Sequence, residues 1–223
     1  MLTEIDTPRL RLRLLVPGDA AALQRAAAAH AIADTMISVP HPYPPGEAAR
    51  FIAHCQVERE AGRGLALAID GRAEGDLIGL IEVRAIEPAH AQAELSFWLV
   101  ETCWGLGYMS EAVGATIGYV FTIFPLNRLY AHHMTRNPAS CRVLERNGFQ
   151  REGVLRQRVR KWGRYEDVAL WALLREDWPG ADGSVFNAED SSVNSISVPN
   201  GDISYTSHRH KLTFFEYLEF QSE

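Results

Sequence analysis

The stretch Glu94-Leu-Ser-Phe-Trp-Leu-Val-Glu-Thr-Cys-Trp-Gly-Leu-Gly-Tyr-Met-Ser-Glu-Ala112 constrains this chain more than any other. An apolar run of strand character passes through Gly105 and Gly107 into a segment read as an amphipathic helix, with Ala112, Val113, Ile117, Val120 and Phe121 at helical spacing. Glycines at such a junction let the backbone approach a ligand without Cβ obstruction. A helix that begins there offers its first N–H groups and the positive end of its dipole to an anion. The order of parts therefore predicts a seat for a phosphate-bearing cofactor, although Gly-x-Gly alone is equally a plain tight turn. A dinucleotide fingerprint would need a third glycine where Ser110 stands, early in a parallel βαβ unit. A P-loop would need Gly-Lys-Ser/Thr, which the stretch lacks.

The flanking sequence fills in the fold. Leu10, Leu12 and Leu14 alternate with Arg11 and Arg13, as in a half-buried strand. Pro17-Gly-Asp19 opens an alanine-rich helix to about His30, the Pro40–Pro45 segment breaks it, and Glu47 to about Ala61 resumes a helix. Leu65–Ile69, Leu77–Arg84 and Gln92–Leu99 read as consecutive strands, the first two joined by a Gly/Asp-rich turn. Arg128–Met134 is another strand, and Pro138–Asn147 a helix stopped by Gly148. Val154–Lys161 and Val168–Leu174 pair across Trp162-Gly163-Arg164. The sum is an α/β (α+β) chain of seven strands, mostly antiparallel, with helices on both faces.

Composition bounds the partners. With 223 residues the chain can bury a substantial core, and no apolar run approaches the ~20 residues that span a bilayer. The beginning of the chain lacks a secretory pattern, and Cys55, Cys103 and Cys141 are scattered and odd in number, so a cytoplasmic setting is expected with no disulfide framework and no metal cluster. Residues 1–180 carry 20 basic against 21 acidic side chains, which excludes a broad basic face for nucleic acid. The character changes after Trp178: residues 1–180 hold 26 alanines and 4 serines, residues 181–223 hold 2 and 8. Two units are expected, a folded body over 1–180 and a Ser/Asn/Asp-rich, flexible tail over 181–223 with an aromatic end, Leu212–Phe220.

A second motif, Asn137-Pro-Ala-Ser140 followed by Val143-Leu-Glu-Arg-Asn-Gly-Phe149, changes the weight of the first. With it, and with Thr7-Pro-Arg-Leu-Arg-Leu-Arg13, Trp104-Gly-Leu-Gly-Tyr108, Glu111-Ala112 and Trp162-Gly163…Asp167, the chain resembles the GNAT superfamily of acyl-CoA N-acyltransferases. Within it, the body is similar to the RimJ/RimL-type group that acetylates amino termini of ribosomal proteins and some other amines. The resemblance covers about Thr7 to Trp178 and implies a GNAT-type sheet with acetyl-CoA as cosubstrate. It further implies an amine acceptor (a peptide N-terminus or a small molecule), no metal, no membrane, no direct nucleic acid, and a monomer or homodimer. It implies that Leu99 and Val100 offer backbone hydrogen bonds to the pantetheine arm, and that amides of Trp104, Gly105, Leu106, Gly107, Tyr108 and Met109 hold the pyrophosphate. Asn137 would contact the pantetheine amide, Ser140 the departing sulfur, and Glu94 would take a proton from the acceptor amine. The superfamily often has Gln or Arg at the start of this loop, where the chain has Thr102, and Leu106 stands between the glycines, so the resemblance implies phosphate binding that leans on main-chain amides and the helix dipole.

The chemistry asks for such groups. An α-amino group with a pKa of about 8 attacks only when neutral, so proton removal assists. Backbone N–H groups at the end of the strand stabilise the oxyanion. Each residue also has a plainer role: Glu94 as a solvated strand-start carboxylate, Ser140 as a first-turn helix residue, Asn137 as a helix cap, Glu166 and Asp167 as turn charges. His132 and His133 point to opposite sides of a strand, so at most one faces a cleft. Arg156, Arg158 and Arg160 form a basic strand face. Two other functions fit the motifs: acetylation of a small amine such as an antibiotic or polyamine, and a non-catalytic acyl-CoA-binding regulatory module.

Overall fold

The computed structural model describes residues 2–73, 75–178, 180, 193–198 and 201–207. Five helices occur among them: α1 (Ala20–Ala27), α2 (His30–Thr35), α3 (Glu47–Glu60), α4 (Tyr108–Ile123) and α5 (Pro138–Arg146). The strands are β1 (Leu2–Asp6), β2 (Leu10–Leu14), β3 (Leu65–Gly71), β4 (Leu77–Glu87), β5 (Gln92–Leu99), β6 (Arg128–Met134), β7 (Gln150–Lys161), β8 (Arg164–Leu174), β9 (Val193–Val198) and β10 (Gly201–Ser207). They form one sheet in the order β7-β8-β6-β5-β4-β3-β2-β1-β10-β9, antiparallel except where β5 runs parallel to β6. This is the expected α/β class, with the count of seven strands corrected upward. β1 escapes sequence reading because its Leu2-Thr-Glu-Ile-Asp6 run lacks the apolar alternation that marks β2. Thr7 closes the β1–β2 turn: its N–H donates to the Leu10 carbonyl, and its hydroxyl oxygen accepts the Leu10 N–H.

The pleat assigns the two faces. In the β4–β5 register Leu80 lies opposite Trp98, Glu82 opposite Ser96 and Arg84 opposite Glu94. Leu80 and Trp98 pack with Leu23, Ile32, Ala48 and Ile52 of α1, α2 and α3. Their neighbours Ile81, Val83 and Leu95 face the other way, onto Ala112, Val113, Ile117 and Val120 of α4. The helix α4 departs from its amphipathic reading: Met109, Ser110, Ala112, Val113 and every residue from Ala115 to Phe121 are buried. A helix apolar on nearly all sides belongs inside, here between the sheet and α5, whose Leu144 and following Phe149 join the same core.

Ion pairs lock the entry to α1. Arg13 on β2 grips Asp19 through two bonds of 2.8 Å and Asp70 on β3 at 2.7 Å, while the Asp19 carboxylate also accepts the Val16 N–H. No helix among the described residues is long and apolar enough to cross a membrane. The hairpin of β9 and β10 adds to β1, so part of the stretch expected to be flexible is paired strand. Residues 181–192, 199–200 and 208–223, including the aromatic end, lie outside the described residues.

His132 and His133 face opposite ways, as the strand period requires. His133 is buried; its Nε2 accepts the Trp171 indole N–H at 2.9 Å, and its Nδ1 lies 2.9 Å from the Met134 carbonyl. That arrangement needs a neutral ring with the proton on Nδ1. Burial lowers the His133 pKa below 6.5, partly offset by the Met134 bond. The unfolded chain therefore takes up this proton first on acidification. The stability that His133 contributes should be complete above pH ~6.5 and fall below it by up to ~1.4 kcal/mol per pH unit, until the folded-state pKa is passed. Denaturant unfolding of wild type and His133→Gln at pH 7.5 and 5.5 measures this, and the acid loss should shrink in the variant.

Candidate active site

The parallel pair at the centre of the sheet is incomplete. β5 and β6 pair only from Gln92/Arg128 to Leu95/Ala131. Beyond that point β5 stays with β4 as far as Gly79/Leu99, and β6 stays with β8 as far as Met134/Val168. A gap opens between residues 96–100 on one side and 132–134 on the other. The ends of β5 and β6, from which the two motifs continue, flank this gap.

On the β5 side the chain runs through a 3-10 turn, Glu101–Cys103, into Trp104 and the two glycines. Gly105 has φ 76° and Gly107 φ 83°, the left-handed region that glycine enters without strain. Gly107 is the N-cap of α4, and no side chain caps that helix. The first turn of the helix opens at the loop, with the positive end of its dipole directed there. Trp104 and Leu106 are exposed, and Met109 is buried. The indole N–H of Trp104 donates to the Leu99 carbonyl at 2.7 Å, and Val100 donates its N–H to Ile78 and accepts from Cys103. Both carbonyls keep a second lone pair, whereas the Val100 N–H is already used.

On the β6 side Asn137 stands three residues past Met134. Its Oδ1 accepts the Ser140 N–H at 3.3 Å, and its Nδ2 donates to Ser140 Oγ at 3.0 Å. Asn137 thus caps α5, with Pro138 in the first turn where its missing N–H costs nothing. Because Ser140 Oγ already accepts from Asn137, its own O–H remains a donor.

Glu94 lies at the start of the gap. Arg84 clamps it at 2.9 and 3.2 Å, and His132 Nδ1 approaches at 3.3 Å. Burial alone would raise its pKa, but bonds to His132 and Arg84 outweigh that and bring it to about 2. Beside it, between the sheet and α1–α3, is a cavity of about 560 Å³ whose walls include Tyr43, Phe51, Leu80, Glu82, Glu94 and Trp98. The expected acceptor walls, the helices before Ala61 and the His41–Pro45 segment, contribute here. The Trp162 turn borders a separate hollow of about 310 Å³ with Asp34 and Arg136. Glu166 and Asp167 serve that turn, Glu166 pairing with Arg136 and Asp167 accepting the Gln157 N–H. A bulge between Leu155 and Val159, with Gln157 at φ 50°, breaks the alternation that would align Arg156 with Arg158 and Arg160. The three cysteines form no disulfide.

A profile of the acetyltransferase (GNAT) domain matches residues 9–150. The chain belongs to the GNAT acetyltransferase family. The Escherichia coli ribosomal-protein-serine acetyltransferase is 38% identical over 101 residues, 45% of this chain and 56% of that protein. The Vibrio cholerae spermidine N(1)-acetyltransferase is 31% identical over 106 residues, 48% of this chain and 61% of that protein. Among solved structures, Mycobacterium smegmatis RimJ in complex with CoA-disulfide has a TM-score of 0.71 at 24% identity, covering 80% of this chain and 88% of that one, which shows a shared fold. The chain spans 56–64% of the length of the first three curated relatives it matches.

Four residues around this candidate site were not among the site residues expected from the sequence. Arg9 donates to the Leu106 carbonyl at 2.8 Å and to Glu111 at 2.6 Å, and its guanidinium sits 4.7 Å over the Tyr108 ring. It brings to the glycine loop the cation that Thr102 and Leu106 do not supply, from 97 residues away in sequence to Leu106. Thr7 fixes the same Glu111 at 2.6 Å. Asn147 donates to Val143 and to Ser110 of α4, tying the two motif helices together. Gly79 lies opposite Leu99, where β5 presses close to β4. The motif Thr7-Pro-Arg9 was a signal for Arg9; for Gly79 there was none.

Proposed function

We propose that this protein is an acetyl-CoA-dependent N-acetyltransferase whose acceptor is a protein or peptide N-terminus, attacked directly in a ternary complex. The observation that carries the reading is the gap between β5 and β6, flanked by the glycine-capped start of α4 on one side and by Asn137 and Ser140 on the other. The residues present fit acetyl-CoA: two left-handed glycines, an uncapped helix start and the nearby Arg9 suit a diphosphate, and the parted strands leave backbone groups for an extended amide-bearing arm. The thioester supplies the acetyl group.

In this reading, amides from Trp104 to Met109 hold the diphosphate, carbonyls of Leu99 and Val100 accept from the pantetheine arm, and the Asn137 side chain reaches its amide. The Ser140 hydroxyl donates to the sulfur as it leaves. A carboxylate held at about 2 is a weak proton acceptor for an amine, so we assign Glu94 to orienting His132 and Arg84 at the cavity edge. We place the reaction in the cytoplasm, where three thiols stay reduced. A small polyamine is the second reading, favoured by the spermidine-acting relative.

Incubation with acetyl-CoA and either Ala- or Ser-starting peptides or an amine panel, while free thiol is followed, tests the proposal. Thiol release with peptides is expected, together with a melting-temperature rise equivalent to ~2.7 kcal/mol at a hundredfold excess of ligand over Kd. Acetyl-CoA binding without release for any acceptor would make the protein a regulatory module instead. Faster turnover of the amines would favour the second reading.

A further inference from the structure

Glu82 shares the α1–α3 face of the sheet with Leu80, Arg84 and Trp98 and lines the 560 Å³ cavity. The other carboxylates of that cavity are claimed: Glu94 by Arg84 at 2.9 Å, Glu58 by Arg63 at 2.6 Å, and Glu47 by Arg50 at 2.5 Å. The cavity arginines are committed in the same pairs. Glu82 alone among these four has no hydrogen bond or ion pair from the described residues. Glu82 is half-buried at the cavity wall, so its carboxylate is placed to take a cation that a ligand delivers into the cavity.

Burial raises the pKa of Glu82 above 4.5; Arg84 and His54 oppose this and Glu94 reinforces it. The groups that face it are Arg84 and Glu94 from the sheet, His54 and Cys55 from α3, and Tyr43 from the segment before α3. Burial pushes the Cys55 thiol up to about 12 and raises the Tyr43 phenol, so both stay neutral at working pH. Neither competes with Glu82 for a cation.

We propose that Glu82 receives the acceptor: its carboxylate anchors the ammonium in the cavity and takes one proton from it before attack. The assignment rests on the acetyltransferase reading above and deepens it. One proton passes from the ammonium nitrogen to a Glu82 carboxylate oxygen. The freed lone pair forms the C–N bond at the thioester carbon, the C–S bond breaks with its electron pair on sulfur, and a second nitrogen proton ends on that sulfur. The proton on Glu82 then returns to water. One unclaimed carboxylate among apolar walls fits an acceptor with one ammonium beside an apolar segment, as at a peptide N-terminus. A polyamine needs several unclaimed carboxylates, and three of the four here are held by arginines.

Glu82→Gln keeps the shape and removes the charge. For an Ala-starting peptide, kcat/KM should fall about a hundredfold or more, and the acidic limb of its pH profile should disappear. Acetyl-CoA affinity by titration calorimetry should stay at the wild-type value. Glu82→Asp should recover part of the rate, and Glu94→Gln should keep the acidic limb. A Glu82→Gln enzyme with wild-type kcat/KM and an intact acidic limb overturns the assignment. A second measurement needs no variant: with wild type, the peptide should outrun spermidine in competition, and the reverse preference overturns the charge argument. Wild type that binds no acetyl-CoA, or releases no thiol with any acceptor, defeats the acetyltransferase reading itself and this assignment with it.

Discussion

Gly79→Val should lower folding stability by about 1–3 kcal/mol, as overpacking of a tight site does, and should weaken acetyl-CoA binding as well. A Cβ at this position would run into the Trp98 carbonyl oxygen and lie 2.6 Å from Leu99 Cδ2. Neither neighbour can step aside freely. Val100 is bonded to the Ile78 carbonyl at 2.8 Å, and the Leu99 carbonyl is held by the Trp104 indole at 2.7 Å. The strain therefore pushes the end of β5 towards the gap beside β6. Chemical denaturation measures the first effect and titration calorimetry the second. Gly153→Ala is the control, because nothing lies within 4 Å of a Cβ there. Loss of stability with unchanged acetyl-CoA affinity would separate the end of β5 from the cofactor site.

Gly107→Val should weaken acetyl-CoA binding by about tenfold to a hundredfold while the melting temperature falls little. At φ 83° a β-branched residue is strained, and a residue forced into such a region costs about 1–3 kcal/mol, which is tenfold in affinity for every ~1.4 kcal/mol. The new Cβ would also lie 3.4 Å from the Arg9 guanidinium, disturbing the contact that holds the loop. The loop is exposed at Leu106, so relaxation there releases the strain with little harm to the core. Gly105→Ala, with φ 76° but open space around it, should show a smaller loss. Calorimetric titration of both variants reads the order. Wild-type affinity in Gly107→Val would mean that these amides do not hold the diphosphate.

Much of the fold was legible because its signals are local. The alternation of Leu10, Leu12 and Leu14, the Gly/Asp turn before Leu77, and Gly148 at φ 81° after α5 each depend on a few neighbouring residues. The glycines of the loop before α4 and the Asn137 cap belong to the same class, and both motifs fell on the expected elements. β1 was missed because Leu2-Thr-Glu-Ile-Asp6 lacks the apolar alternation that marks β2. The hairpin of β9 and β10 was missed because a Ser/Asn/Asp-rich composition outweighs the alternation of Ile203 and Tyr205 with polar neighbours. The burial of α4 on nearly all sides was missed because apolar spacing identifies the inner face of a helix without saying what covers the outer one. For Glu94, position predicted a base, while its two partners, Arg84 and His132, stand 10 and 38 residues away.

The sequence by itself determined the order of most elements from β2 to β8, the two-motif constellation that marks the GNAT family, and the left-handed glycines before α4 and after α5. These follow from short-range sterics and hydrogen bonding, which a linear text carries. Only the tertiary structure decided that Arg9 serves the glycine loop, that Gly79 makes room for the end of β5, and that Arg84 and His132 hold Glu94 while no ion pair among the described residues reaches Glu82. Those outcomes are pairings between strands and helices distant along the chain, and a carboxylate's proton affinity depends on which of its possible partners the fold brings within about 4 Å.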